Sequence, residues 1–259
     1  MWSRWEVKAY ARRFLKKHYL KAFLVCIIVW ALGSGITSNT QWDRPKHKQR
    51  HTIIENDKMI LGLRNPVFNF GLKKMGLSYN FKVSRKMIPM VFLITSALTI
   101  FVGNVAEVGK ARFFLNGFKY DDTDTIDVFS TFNSEEYIDI VKVQFLKNLY
   151  IFLWTLLFVI PGIIKSYEYR MVPYIISKEP NLTPGEAIGR SKLITDGHKW
   201  NMFVLDLSFL GWNILGSLFF GVGSVFVIPY EEASFARLYN ILSGEDDNEI
   251  DVEYEINGY

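Results

Sequence analysis

The stretch LYIFLWTLLFVIPGIIKSYEYRMVPYII, residues 149–176, is almost continuously apolar and is interrupted by Pro161-Gly162. The first charged residues of the stretch follow this interruption: Lys165, Glu168 and Arg170. A run of this length without a charge in its first half suits hydrocarbon better than water. Charge at membrane depth is costly and is normally kept for a reason. The stretch therefore predicts a multi-span membrane protein that carries ionised groups at membrane depth.

The composition agrees with this prediction. Of the 259 residues, 49% are hydrophobic and 22% are charged, and the apolar residues are grouped into blocks. The formal net charge is only +4, but the N-terminal arm is basic and the tail from Glu245 to Glu255 is acidic. A basic arm beside an apolar segment favours an anionic membrane surface over nucleic acid as its partner. Since Cys26 is the single cysteine, an intrachain disulfide is excluded.

Residues 1–21 are predicted to form a basic amphipathic helix. Ser3 and Glu6 have the spacing of a capping box, and the apolar residues that follow recur at helical spacing. We expect this helix to lie in the membrane interface, with its cations on anionic lipid headgroups. The alternative is that its apolar face packs on the rest of the protein, because amphipathicity alone does not separate the two cases.

The apolar blocks predict an all-α, polytopic transmembrane helical bundle with about six membrane segments and amphipathic interfacial helices. Residues 22–36 form the first membrane span; the alternative, a signal-peptide core, is less favoured because more apolar blocks follow. Residues 37–86 are a polar loop with room for a short helix, and residues 245–259 are an acidic disordered tail. The membrane bundle occupies residues 87–244, with its segments at 87–108, 149–164, 164–176, 200–220 and 224–242.

Two local signals refine this arrangement. Pro161 and Gly162 mark either a tight hairpin between two membrane segments or a kink in one long helix, and the sequence leaves both open. Because the segments on either side are short, they suit a re-entrant or strongly tilted pair. Thr183-Pro184-Gly185-Glu186 combines a capping box with proline at the first helical position, so it predicts the start of an interfacial helix over residues 184–196.

The polar residues inside the apolar segments are the candidate site. They are predicted to form an intramembrane charge network of Lys165, Glu168, Arg170, Asp206, Glu231 and Glu232. Lys165 and Glu168 lie three apart and can neutralise each other on a helix. Arg170 has no such local partner, so we expect Asp206 first and Glu231 second to pair with it. The alternative is that some of these side chains extend to the interface from helix ends.

No pattern in the chain indicates enzymatic chemistry. It has no glycine-rich phosphate loop, no nucleophile elbow and no paired-cysteine site. His47 and His51 have metal-ligand spacing, but they lie in a cationic loop without a nearby carboxylate. We therefore predict no catalytic residues, no metal site and no cofactor.

Several blocks of the second half resemble the domain of unknown function 975 family of bacterial integral membrane proteins. The blocks are LWTLLFVIPGIIKSYEYRMVPYI at 153–175, PGEAI at 184–188, GHKW at 197–200, LSFLGW at 207–212 and IPY at 228–230, followed by Ala236 and Tyr239. The resemblance implies a polytopic bacterial membrane protein. It implies no chemistry, because the family has no settled activity.

Function is therefore predicted only as a class. The first hypothesis is a non-enzymatic integral membrane protein that binds or modulates a membrane protein partner, a lipid or a membrane-active peptide. The alternative is a transporter or channel subunit with a charge-lined path. The arm from Arg4 to Lys21 carries seven basic residues, so it is expected in the cytoplasm. An even number of spans returns the C-terminus to the same side of the cell membrane.

Overall fold

A computed structural model of the chain describes residues 2–33, 58–61, 81–84, 88–120, 124–133, 135–218 and 223–244. The predicted helical class is confirmed. In chain order the helices are α1 (Arg4–Gly33), α2 (Ile88–Leu98), α3 (Asn104–Tyr120), α4 (Asp127–Ser130), α5 (Tyr137–Leu157), α6 (Val159–Glu168), α7 (Val172–Lys178), α8 (Pro184–Thr195), α9 (Lys199–Leu218) and α10 (Gly223–Ser243). A π-helical turn at Thr99–Gly103 joins α2 to α3, and a 3-10 turn at Thr131–Asn133 follows α4.

In the part of the chain that the structure describes, β-strands occur only in the predicted polar loop. Strands β1 (Lys58–Leu61) and β2 (Phe81–Ser84) pair antiparallel, with Met59 opposite Val83. We expected at most a short helix in residues 37–86; the β-branched and aromatic residues of these two segments favour a strand instead. The rest of that loop, His47 and His51 included, and the predicted acidic tail at 245–259 lie outside the described residues.

Helix α1 joins the predicted interfacial helix and the first apolar block into one element, with a break in helical geometry at His18 (φ −116°, ψ 16°). Its apolar face is buried: Val7 and Ala11 are fully covered, and the Phe14 ring lies 4.8 Å from the Phe118 ring of α3. The face that we expected to meet lipid is therefore covered by protein, as in the alternative. The physical reason is that an aromatic stripe on α3 offers it a matching apolar surface.

The first and last helices pack against each other along much of their length. The rings of Phe23 and Phe226 are stacked with their centroids 5.0 Å apart, and the Tyr19 hydroxyl donates to the backbone carbonyl of Phe226. Nearer the start of α1, the Arg237 guanidinium lies 3.9 Å from the centre of the Tyr10 ring. The main core therefore contains residues from both ends of the described chain.

Helices α5 and α6 form a tight hairpin, which decides between the two interpretations of the Pro161-Gly162 interruption. The turn is at Phe158, whose backbone is extended (φ −154°, ψ 140°), and not at Pro161-Gly162 as the sequence suggested. Pro161 lies in the first turn of α6, where its missing N–H costs nothing. A Cβ on Gly162 would lie 2.7 Å from the Cα of Thr155, so the absence of a side chain permits the two arms to meet.

The hairpin turn exposes large apolar side chains. Phe158 is 66% exposed and Ile160 is 73% exposed, and their neighbours Leu156, Leu157 and Val159 are exposed as well. Among the residues that the structure describes, one helix, Tyr137–Leu157, is long and apolar enough to cross a membrane. The expected bundle of about six spans is therefore not confirmed. Physically, the predicted block at 164–176 is divided between α6 and α7, and each piece is too short to span.

Helix α8 begins with the predicted capping box. The Glu186 backbone N–H donates to Thr183 Oγ1 at 3.4 Å, and the Thr183 N–H donates to Glu186 Oε2 at 2.9 Å. Pro184 is the first helical residue, and Gly197 just past the helix adopts a positive φ of 73°. The hydrogen bonds from Thr183 hold the pKa of the Glu186 carboxyl below its ordinary value.

Thr183→Ala is expected to lower the melting temperature by about 2–4 °C, because the substitution removes an N-cap acceptor. The pKa of Glu186 is lower in the folded state than in the unfolded state. The stability that its ionised carboxylate gives to the cap is therefore fully present above the unfolded-state pKa, and it is lost as the pH falls through the folded-state pKa. The difference in melting temperature between the parent protein and Thr183→Ala should therefore be larger at neutral pH than at acidic pH. Thr183→Ser, which keeps the hydroxyl, is the control; an equal loss in both variants would contradict the cap.

Candidate functional site

A cavity of about 250 Å³ lies where α3, α5, α10 and the segment from α6 to α7 meet. Its charged lining residues are Glu107, Lys110, Lys147, Arg170 and Glu232. We call it the charged cavity. Apolar lining is contributed by Ile151, Pro173 and Phe235, and further polar lining by Asn148, Ser166, Tyr169 and Tyr174. A polar interior of this kind requires partners for each ionised group, because an unpaired buried charge is strongly unfavourable.

Two ion pairs cross the charged cavity between helices. Lys147 Nζ of α5 lies 3.3 Å from Glu107 Oε2 of α3, and Lys147 is only 6% exposed. Lys110, one turn further along α3, pairs with Glu232 of α10. Both pairs join residues that are far apart in the chain, so they fix the position of α3 between α5 and α10.

The cluster around Arg170 lies beside these pairs. Its Nη2 is 3.2 Å from Asp206 Oδ1 of α9 and 3.6 Å from Glu231 Oε1 of α10. The Tyr167 hydroxyl donates to Asp206 at 2.7 Å, and the Arg170 guanidinium covers the Phe235 ring at 3.8 Å. The structure thus brings Arg170 together with both carboxylates that we expected as its partners.

The remaining candidates occupy separate places. Lys165 pairs with Glu168 on the same helix, with Nζ and Oε2 2.7 Å apart, and Lys199 Nζ lies 3.8 Å from the same oxygen. The backbone carbonyl of Glu168 accepts from the Ser191 hydroxyl of α8. The six predicted residues therefore form three groups: Lys165 with Glu168, Arg170 with Asp206 and Glu231, and Glu232 with Lys110.

Sequence reasoning missed three charged residues of the cavity: Glu107, Lys110 and Lys147. Glu107 and Lys110 lie three apart at the end of an apolar block, and Lys147 lies just before the run at 149–176. This spacing at block ends was the available signal, but it also fits side chains that extend to water. No group of three or more His, Cys, Asp or Glu suited to a metal ion is found within the described ranges.

The fold and site define a helical bundle with ion pairs inside and apolar side chains exposed at a hairpin turn. Residues 156–246 match the model of a family described as a protein of unknown function, DUF975, which confirms the resemblance for that part of the chain. The match includes Arg170, Asp206, Glu231 and Glu232; the α3 and α5 side of the charged cavity lies before it. No curated protein and no solved structure matches the chain.

Proposed function

We propose that this protein is a non-enzymatic integral membrane protein that binds a component of the membrane at its charged cavity. The observation that carries the proposal is the distribution of polarity in the hairpin. Phe158 and Ile160 at its turn are exposed, whereas Lys147 and Glu168 near its base are buried. Proteins in water show the opposite distribution, and a large exposed apolar patch indicates a membrane or protein contact.

The arrangement that we propose in the membrane has about six membrane segments, two of which are the arms of the hairpin. The N-terminus lies in the cytoplasm, since the basic residues of α1 favour that side. An even number of membrane segments brings the C-terminus back to the same side. Arg12, Arg13, Lys16 and Lys17 are exposed on α1. This basic face is suited to anionic lipid headgroups even though the apolar face of the helix is covered by protein. A membrane protein partner is a further candidate for the exposed apolar surface.

The pairing of the ionised groups supports binding over catalysis. Glu107, Lys110, Arg170 and Glu232 each have an oppositely charged partner. A general acid or base needs a proton-transfer group whose charge changes easily, and an ion pair resists such a change. The pairs therefore favour a role in holding the helices and in presenting hydrogen-bond donors to a ligand.

A transporter or channel subunit is the second candidate, because a charged cavity inside a bundle is where a path would begin. Against it, the charges are concentrated at one level of the α5–α6 hairpin. Its outer turn, residues 156–164, carries no charged residue. A lined path across a membrane would need polar groups that recur along its length.

The expected result is that the protein stays in the membrane pellet after alkaline carbonate extraction, because exposed apolar side chains hold it in the bilayer. Reconstituted in liposomes, it should move ions and small solutes no faster than protein-free liposomes do. Release by carbonate would contradict the membrane proposal. Robust flux that is abolished by Asp206→Asn, in a variant that still folds, would replace the binding role by the transport role.

A further inference from the structure

The charged cavity lies where the apolar and charged parts of the hairpin meet. On α5 the cavity is lined by Lys147 and Ile151, and the exposed apolar side chains continue from there to Leu157. On α6 the exposed apolar residues end at Ile164, and the lining begins at Ser166. Both arms therefore change from apolar to polar at the level of the cavity.

The length of the hairpin sets how deep it can reach. The apolar part of α6, from Val159 to Ile164, is about 9 Å long. The apolar part of α5, from Leu149 to Leu157, is about 14 Å long. The hydrocarbon core of a bilayer is about 30 Å thick, so the apolar part of the hairpin reaches no deeper than about one leaflet. Inserted to that depth, it places the charged cavity at the level of the lipid headgroups.

The cations of the cavity have hydrogen-bond donors to spare. Within the described ranges, Lys147 Nζ donates one hydrogen bond, to Glu107, and Lys110 Nζ donates one, to Glu232, although an ammonium group carries three N–H donors. Both ion pairs of Arg170 use Nη2, so Nε and Nη1 have no acceptor among the same residues. All three cations line the cavity, and charged N–H donors form their strongest hydrogen bonds with anionic oxygens, so the cavity suits a ligand rich in such oxygens.

We propose that the charged cavity binds the phosphate of a membrane phospholipid, whose acyl chains lie along the exposed apolar side of the α5–α6 hairpin. This rests on the proposed membrane location. Pockets that enclose a whole small molecule have volumes of about 300–1,000 Å³. The charged cavity, at about 250 Å³, is smaller, so it can hold a lipid headgroup while the acyl chains stay outside. Glu107 and Glu232 each hold one lysine in place for the phosphate oxygens.

The test uses the purified full chain in mild detergent, stripped of lipid, with phosphatidylglycerol and an uncharged diacyl glycolipid as probes. We expect phosphatidylglycerol to bind and the glycolipid to bind at least tenfold more weakly, because only the first has a phosphate. Lys147→Gln should weaken the binding of phosphatidylglycerol about tenfold or more, because the loss of one charged hydrogen bond has an effect of this size. Lys142→Gln on the same helix is the matched control: its partner Asp139 is outside the cavity, and binding should not change.

Because Lys147→Gln leaves Glu107 without its partner, the double variant Lys147→Gln/Glu107→Gln is measured as well; it should fold and still lose the lipid. Equal binding of the two lipids, or full binding by the double variant, would overturn the proposal. Glycerol phosphate that displaces the lipid at equal concentration would also overturn it, in favour of a soluble phosphate ester. If any of these three results is obtained while the protein is still retained after carbonate extraction, the lipid proposal fails and the proposed membrane location stands.

Discussion

Arg170→Leu should destabilise the protein by about 3 kcal/mol. The substitution leaves Asp206 and Glu231 without the guanidinium that lies 3.2 Å and 3.6 Å from them, inside a bundle where water replaces it poorly. Removing one partner of a buried pair costs about 3–5 kcal/mol, and the partial exposure of these side chains places this case at the low end. Thermal or denaturant unfolding in detergent measures the loss.

Asp206→Leu should destabilise the protein by a similar amount, because the Tyr167 hydroxyl loses its acceptor as well. The double variant Arg170→Leu/Asp206→Leu should lose less than the sum of the two, since the second substitution removes the charge that the first left unpaired. Strict additivity would mean that the two residues do not interact. Arg190→Leu is the matched control: its ion pair with Glu179 is exposed, so the loss should stay below about 1 kcal/mol.

Gly162→Ala should also destabilise the protein strongly, by about 3 kcal/mol. The added Cβ would lie 2.2 Å from Thr155 Oγ1 and 2.7 Å from Thr155 Cα, so the arms of the hairpin must separate. Such overpacking costs about 1–3 kcal/mol, and the upper end applies because a backbone atom cannot rotate away. Unfolding of the variant in detergent measures this loss, and a cross-link between the two arms reports their separation.

Gly189→Ala in α8 is the matched glycine control for that experiment. No atom lies within 4 Å of a Cβ placed there, so alanine should be neutral or should stabilise the helix by up to about 1 kcal/mol. If Gly162→Ala were as stable as the parent protein, the close approach of α6 to α5 would be wrong. Loss of stability in both variants would indicate a general sensitivity of the helices to alanine.

Local signals predicted local features well. The capping box at Thr183 and the helix that follows need only neighbours in the chain, and the sequence shows them directly. The partners of Arg170 followed from charge alone, because few carboxylates lie in the apolar segments. The turn was placed three residues too late, since Pro161 breaks a helix interior but is tolerated in a first turn.

The rest of the site depends on which helices are neighbours, and no local pattern contains that information. Lys147 and Glu107 meet across α5 and α3, although each looks like a charge at the end of an apolar block. The covered face of α1 is a similar case. A stripe such as Val7, Ala11 and Phe14 satisfies protein and lipid equally well, so only the tertiary structure decides between them.

The packing of α1 on α10 has a consequence for biosynthesis. A ribosome synthesises α1 long before it reaches Phe226 and Arg237. During that time Phe23 lacks its stacking partner Phe226, and Tyr10 lacks the Arg237 guanidinium. Contacts between distant parts of a chain form late and slow the overall process. The native core closes only when α10 has left the ribosome, so until then the apolar face of α1 that α10 later covers remains open to non-native contacts.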